Sequence, residues 1–137
     1  MPLTYSHTHT FSPSALQDLF LSVEWSSGHY PEKLAVAMMN FKTVVSAWDG
    51  DKLVGMICAM DDGIMNAYIH YLLVRPEYQG KGIGKTLVQM VREKYKDYLR
   101  IVVVAYNKEN PLLRALRIRE KRRRKPDVYN GIVNVKL

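Results

Sequence analysis

The sequence predicts one α/β (α+β) domain built on a mixed central sheet, and three observations predict it. A length of 137 residues suits a single domain, and 47% apolar residues are enough for a core. Segments of β-branched and aromatic residues alternate with segments whose apolar positions recur every three to four residues. Their order is strand, two helices, a β-meander, a helix and a further strand.

Leu3 to Thr10 combines β-friendly residues with polar alternation and reads as an edge strand. Ser12-Pro13 supplies an N-cap with proline at the first helical position. Leu16, Leu19, Phe20 and Val23 follow at helical spacing, so a helix is expected over 13–25, broken by Ser26-Ser27-Gly28-His29. Pro31 opens a second helix to about Met39, with Leu34, Ala35, Met38 and Met39 on one face. Thr43 to Trp48 and Leu53 to Met60 form a hairpin around Asp49-Gly50-Asp51-Lys52. Asp61-Asp62-Gly63 turns the chain into a third strand, Asn66 to Val74. Beyond a glycine-rich loop, Leu87, Val88, Val91 and Tyr95 mark a helix of about 82–97. Ile101 to Ala105 is wholly apolar, as a buried strand would be. For the tail two readings stay open: a helix over about 111–123 with a strand over 128–136, or a disordered segment. No internal repeat is present.

The net charge of +7 is not spread along the chain. Residues 1–110 carry 11 Lys/Arg against 11 Asp/Glu, and residues 111–137 carry 9 against 2. Basicity therefore belongs to the tail alone. An arginine-rich tail binds nucleic acid through phosphate contacts in a salt-dependent way, but a nucleic-acid partner is not expected for the domain. No apolar run approaches the ~20 residues of a membrane span. The first residues lack the basic start and apolar stretch of a signal peptide. Cys58, the sole cysteine, excludes an intrachain disulfide framework and points to a cytoplasmic setting. His7 and His9 have no third ligand nearby, so no metal is expected. Cys58 in its apolar strand reads as a buried, inert thiol, and the seven methionines as core filler.

The loop between the third strand and the following helix carries the chemistry. A strand ends at Val74, and a polar turn with glycines at 80, 82 and 84 leads into an amphipathic helix. Such a helix start offers unpaired N–H groups and the positive end of the dipole, and glycine lets a ligand approach the backbone. The result is an anion site, most naturally for phosphate. The Walker A pattern would need glycine at position 79, where the chain has Gln79. The dinucleotide pattern started at Gly80 would place its last glycine on Lys85.

A third pattern fits throughout. Leu72-Leu73-Val74-Arg75-Pro76-Glu77-Tyr78-Gln79-Gly80-Lys81-Gly82-Ile83-Gly84 resembles the R/Q-x-x-G-x-G/A cofactor loop of the GNAT superfamily of N-acetyltransferases, in their small bacterial single-domain form. Val45 to Gly55 also resembles the hairpin that precedes that loop, and the likeness covers roughly residues 12–109. The resemblance implies a mostly antiparallel sheet flanked by helices, acetyl-CoA as cosubstrate and an amine as acceptor. It implies that amides from Gln79, Gly80, Lys81, Gly82, Ile83, Gly84 and Lys85, with Thr86, hold the pyrophosphate. The backbone of Leu72, Leu73 and Val74 would pair with the pantetheine arm, and the Leu73 N–H would donate to the thioester oxygen. His70 is a candidate base, on one strand face with Tyr68 if alternation holds. Glu24, Trp25, His29 and Tyr30 fall where the first two helices border the acceptor cleft. Homodimerisation is common in the family.

The tail departs from the family pattern. There the last strand is followed by Asn, a short helix and a motif like F-Y-E-K/R-x-G-F, whose tyrosine commonly protonates the departing thiolate. This chain has Tyr106-Asn107-Lys108-Glu109 and then Asn110-Pro111-Leu112-Leu113-Arg114-Ala115-Leu116-Arg117-Ile118-Arg119-Glu120. Codons for Leu112 to Glu120 can be chosen so that the frame one base later spells F-Y-E-R-C-G-F-E. Residues from about 110 onward therefore read as a frameshifted GNAT C-terminus, which sequencing of the gene decides. Asn107 is left as the cofactor-contacting asparagine, and Tyr106 and Tyr129 as substitutes for the missing acid. Three readings follow. The first is an acetyltransferase acting on a primary amine of a small molecule or protein. The second is an acetyl-CoA-binding protein with impaired or no catalysis. The third is a nucleic-acid module driven by the tail.

Overall fold

The computed structural model describes residues 2–104 and 132–135. Among them, six strands form one sheet in sequence order: β1 (Leu3–Ser6), β2 (Thr43–Asp49), β3 (Lys52–Asp61), β4 (Asn66–Val74), β5 (Arg100–Val104) and β6 (Ile132–Val135). Only the β4–β5 pair is parallel. The mixed, mostly antiparallel sheet is as expected. Helices α1 (Pro13–Ser22) and α2 (Pro31–Asn40) pack on one face, and α3 (Ile83–Lys94) on the other.

Two cores result. On the α3 side, Ile83, Leu87, Val88, Val91 and Tyr95 meet Val45, Ile57, Ala67, Ile69, Leu72 and Val74. On the opposite side, Leu16, Leu19, Phe20, Leu34 and Met38 meet Val44, Met56, Cys58 and Leu73. Cys58 is fully buried, and desolvation raises its thiol far above the ordinary range. The Tyr95 hydroxyl bonds to Thr43 Oγ1 (2.6 Å) and Asp61 Oδ2 (2.7 Å), fixing the end of α3 against the sheet.

Several boundaries differ from the sequence reading. The edge strand stops at Ser6, because Thr8 N–H turns to Ser6 Oγ and Thr10 N–H to Thr8 Oγ1. α1 starts on the expected Ser12 cap but ends at Ser22. Trp25 N–H bonds Phe20 O (3.0 Å) and Glu24 N–H bonds Leu21 O (3.1 Å), a Schellman closure. It places Glu24 at φ +60°, where glycine is usual, so no residue type announced the stop. Ser26–His29 is a 3-10 turn rather than a plain break. The tail helix expected over 111–123 and the candidates Tyr106, Asn107 and Tyr129 lie outside the described residues, as does most of the segment read as frameshifted. Of the strand expected over 128–136, Ile132–Val135 is described and pairs with β5.

Candidate active site

The loop leaving β4 is tied to its surroundings at each step. Arg75, only 7% exposed, gives its backbone N–H to Val54 O (2.8 Å) and its Nε to Leu53 O (2.7 Å), both on β3. Its Nη2 lies 3.4 Å from Asp18 Oδ2 on α1. A 3-10 turn over Pro76–Tyr78 follows, and the Tyr78 hydroxyl donates to the Asp49 carboxylate. That bond raises the phenol above its usual value. Gln79 Nε2 then donates to Val74 O at 3.0 Å.

Gly80 and Gly82 have φ +78° and +83°. A Cβ at either would meet nothing within 4 Å, so glycine is required there by conformation, and the space before both is open. Gly82 is the N-cap of α3, with no side-chain cap and no acidic residue in the first turn. Thr86 N–H and Oγ1 both reach Gly82 O at 3.0 Å. The amides of Ile83, Gly84 and Lys85 precede that first intrahelical bond and stand available to an anion. The residues picked from sequence at 79–86 are thus brought together around one helix start.

Beside this start, among the described residues, lies an unshared edge. The β4–β5 pairing runs only from Asn66↔Arg100 to Ile69↔Val103. Leu72 to Val74 pair with β3 but have no β5 partner among the described residues. The Arg75 N–H to Val54 O bond sets which groups face where. In an antiparallel ladder, hydrogen-bonded pairs alternate with non-bonded ones. Counting from Arg75↔Val54, the pair Leu73↔Met56 exchanges its bonds across β3–β4, whereas Leu72 and Val74 turn theirs to the open side. The Gln79 bond to Val74 O lies on that open side and agrees. The Leu73 N–H, expected from sequence as the donor, is thus directed at Met56, and the Leu72 N–H faces the open side.

A β-bulge produces this fork. Cys58 pairs with Tyr71 and Ala59 with Ile69, leaving His70 as the extra residue. His70 and Tyr71 then lie adjacent on the α1–α2 side, with ring centroids 4.4 Å apart. Tyr71 is also within 4.9 Å of Trp25, 5.0 Å of Phe20 and 6.0 Å of Phe41, and its hydroxyl is 3.2 Å from Ser27 Oγ. Burial lowers the His70 imidazole below its ordinary value, favouring the neutral ring. Trp25 and His70, both picked from sequence, meet through Tyr71, which sequence reasoning missed because only the bulge turns it inward. Glu24 is exposed beside Trp25. His29 and Tyr30 are exposed further along, with Lys33 Nζ 5.3 Å from the Tyr30 ring. Arg75 was also missed, although an arginine ending an apolar strand before proline was a readable signal. Among the described residues, no group of His, Cys, Asp or Glu is arranged to hold a metal, and no helix is long and apolar enough to cross a membrane.

The model of the acetyltransferase (GNAT) family matches residues 10–117. The chain is 30% identical over 97 residues to an uncharacterised ycf52-like N-acetyltransferase of Prochlorococcus marinus, covering 68% of this chain and 53% of that protein. It thus spans about half the length of that curated relative. A GNAT-family acetyltransferase from Streptococcus pneumoniae superposes with a TM-score of 0.67 at 25% identity, over 80% of this chain and 79% of the other. The PaiA N-acetyltransferase of Thermoplasma acidophilum, solved with coenzyme A, gives 0.71 at 17% identity over the full length of both and shares the fold.

Proposed function

The chain belongs to the acetyltransferase (GNAT) family, and from that premise we propose that it transfers an acetyl group from acetyl-CoA directly to a primary amine. One observation carries the reading: the edge of β4 at Leu72–Val74, which has no β5 partner among the described residues, adjoins a helix start without a side-chain cap. Coenzyme A has the matching chemistry, an amide-bearing arm joined to a pyrophosphate.

In this reading Gln79, Gly80, Lys81, Gly82, Ile83, Gly84, Lys85 and Thr86 seat the pyrophosphate, and Leu72 and Val74 pair with the arm. The Leu72 N–H donates to the thioester oxygen and binds it more strongly as negative charge develops there. His70, kept neutral by burial, takes the proton that the acceptor ammonium must lose before its free amine attacks the thioester. Asn107 keeps the cofactor contact that the family resemblance implies, and Tyr106 or Tyr129 stands in as the acid for the departing thiolate. Glu24, Trp25, His29 and Tyr30 border the acceptor. A cytoplasmic location and a homodimer belong to the same proposal, checked by cell fractionation and light scattering.

Calorimetric titration with acetyl-CoA, followed by a thiol-release assay with an amine, tests the proposal. Saturable binding and amine-dependent release of free coenzyme A are expected, and absence of binding refutes the reading. A second reading rests on one sequence observation, the replacement of the F-Y-E-like segment from residue 110. It predicts binding with no amine-dependent thiol release, so the same pair of measurements separates the two.

A further inference from the structure

The transferase reading leaves the acceptor's chemistry open, and the α1–α2 side of the fork narrows it. Ala67 and Ile69 belong to the core under α3, so Tyr68 between them faces the other way. His70 stacks near Phe41, a member of the opposite core, with centroids 6.2 Å apart. The bulge adds Tyr71 to the same face, and Trp25 meets Tyr71 edge-on. Tyr68 is 43% exposed, and its cross-strand partner Met60 is 48% exposed. Val102 stands opposite Tyr68 on β5 between the buried Ile101 and Val103. An apolar rung, Met60–Tyr68–Val102, thus runs across three strands where the β4–β5 pairing ends.

Asp18 on α1 pairs with Arg75, whereas Asp61 lies on the α3 side, where it accepts from Tyr95 and Tyr98. Asp62 accepts from the amides of residues 64–66, which holds its carboxyl well below the usual range. Glu24 is exposed beside Trp25 in the chain and offers a carboxylate there. Such a ring-rich surface suits an ammonium carried on an apolar, ring-bearing body.

From this we propose that the acceptor is a primary amine carried on an aromatic body, read by the rings of Tyr68, His70, Tyr71 and Trp25. The proposal rests on the transferase reading above. Ring pairs at 4.5–7 Å and an ammonium over a ring each favour binding, and one ring lost costs about tenfold.

The test compares phenethylamine, butylamine and spermidine as acceptors for the full chain with saturating acetyl-CoA. Phenethylamine is expected to give at least about tenfold higher kcat/KM than either. Tyr68→Ala should raise the KM for phenethylamine about tenfold, with a clearly smaller rise for butylamine, and leave acetyl-CoA affinity intact. Equal use of spermidine or butylamine, or an equal loss for all amines in Y68A, overturns the proposal. Calorimetry of phenethylamine on the coenzyme A-loaded chain gives a readout without turnover. Binding that Y68A weakens upholds the proposal even if no amine is acetylated, and no binding at millimolar amine overturns it. Failure to bind acetyl-CoA at all is instead the failure of the transferase reading, and this inference falls with it.

Discussion

The two sides of β4 are made of different material. Toward β5 the strand presents backbone, the open-side groups of Leu72 and Val74 running into the bare amides of the α3 start. Toward α1 and α2 it presents side chains, with Tyr71 touching Trp25, Phe20, Phe41 and His70. Backbone chemistry is the same in any sequence, so the first side depends on conformation: glycines at positive φ, a bulge and a register. The second depends on which rings are present. A fold can therefore keep one ligand on the β5 side while exchanging partners on the other.

The largest expected effect breaks the backbone side by conformation alone. Gly82→Val forces a β-branched residue toward φ +83°, a cost of about 1–2 kcal/mol, and re-aims the amides around it. Acetyl-CoA affinity should fall about 100-fold by calorimetry, with an unchanged circular dichroism spectrum. A loss below about threefold would mean that the loop backbone is not the seat. A smaller effect separates fold from function on the ring side. Glu24→Gly relieves the left-handed residue closing α1 by about 1 kcal/mol, raising Tm by roughly 3–5 °C in scanning calorimetry. The same change should raise the KM for the amine. An unchanged KM removes Glu24 from the acceptor site.

The smallest effect concerns His70. Its imidazole is held below its ordinary value, so below about pH 6.5 the unfolded chain takes up the proton first. Stability is therefore complete above that pH and declines as pH falls through the folded value. Urea unfolding at pH 7 and pH 5 should show this decline, with a shallower one in His70→Gln. Identical slopes would mean that burial of His70 does not govern its proton.

Much of this architecture was readable from local sequence. Alternation located the strands, Ser12-Pro13 the start of α1, and Gln79 to Gly84 the loop. What could not be read depends on pairing between strands. The bulge at His70 exists only against β3, and with it come the place of Tyr71 and the fork itself. The same limit explains Leu73: which amide of three neighbours faces outward is fixed by register, not by residue type. Glu24 shows the converse, a helix stop built by backbone bonds with a residue that propensity does not associate with stopping.

The alternation along the end of β4 also sets a pattern in time. The amide hydrogen of Leu73 is shared with β3, so it exchanges with solvent deuterium only when the sheet opens. Those of Leu72 and Val74, one residue to either side, face the fork with no strand partner among the described residues and exchange without such an opening. Three consecutive residues in the middle of a sheet therefore carry a slow hydrogen between two fast ones, and an occupant of the fork would make all three slow.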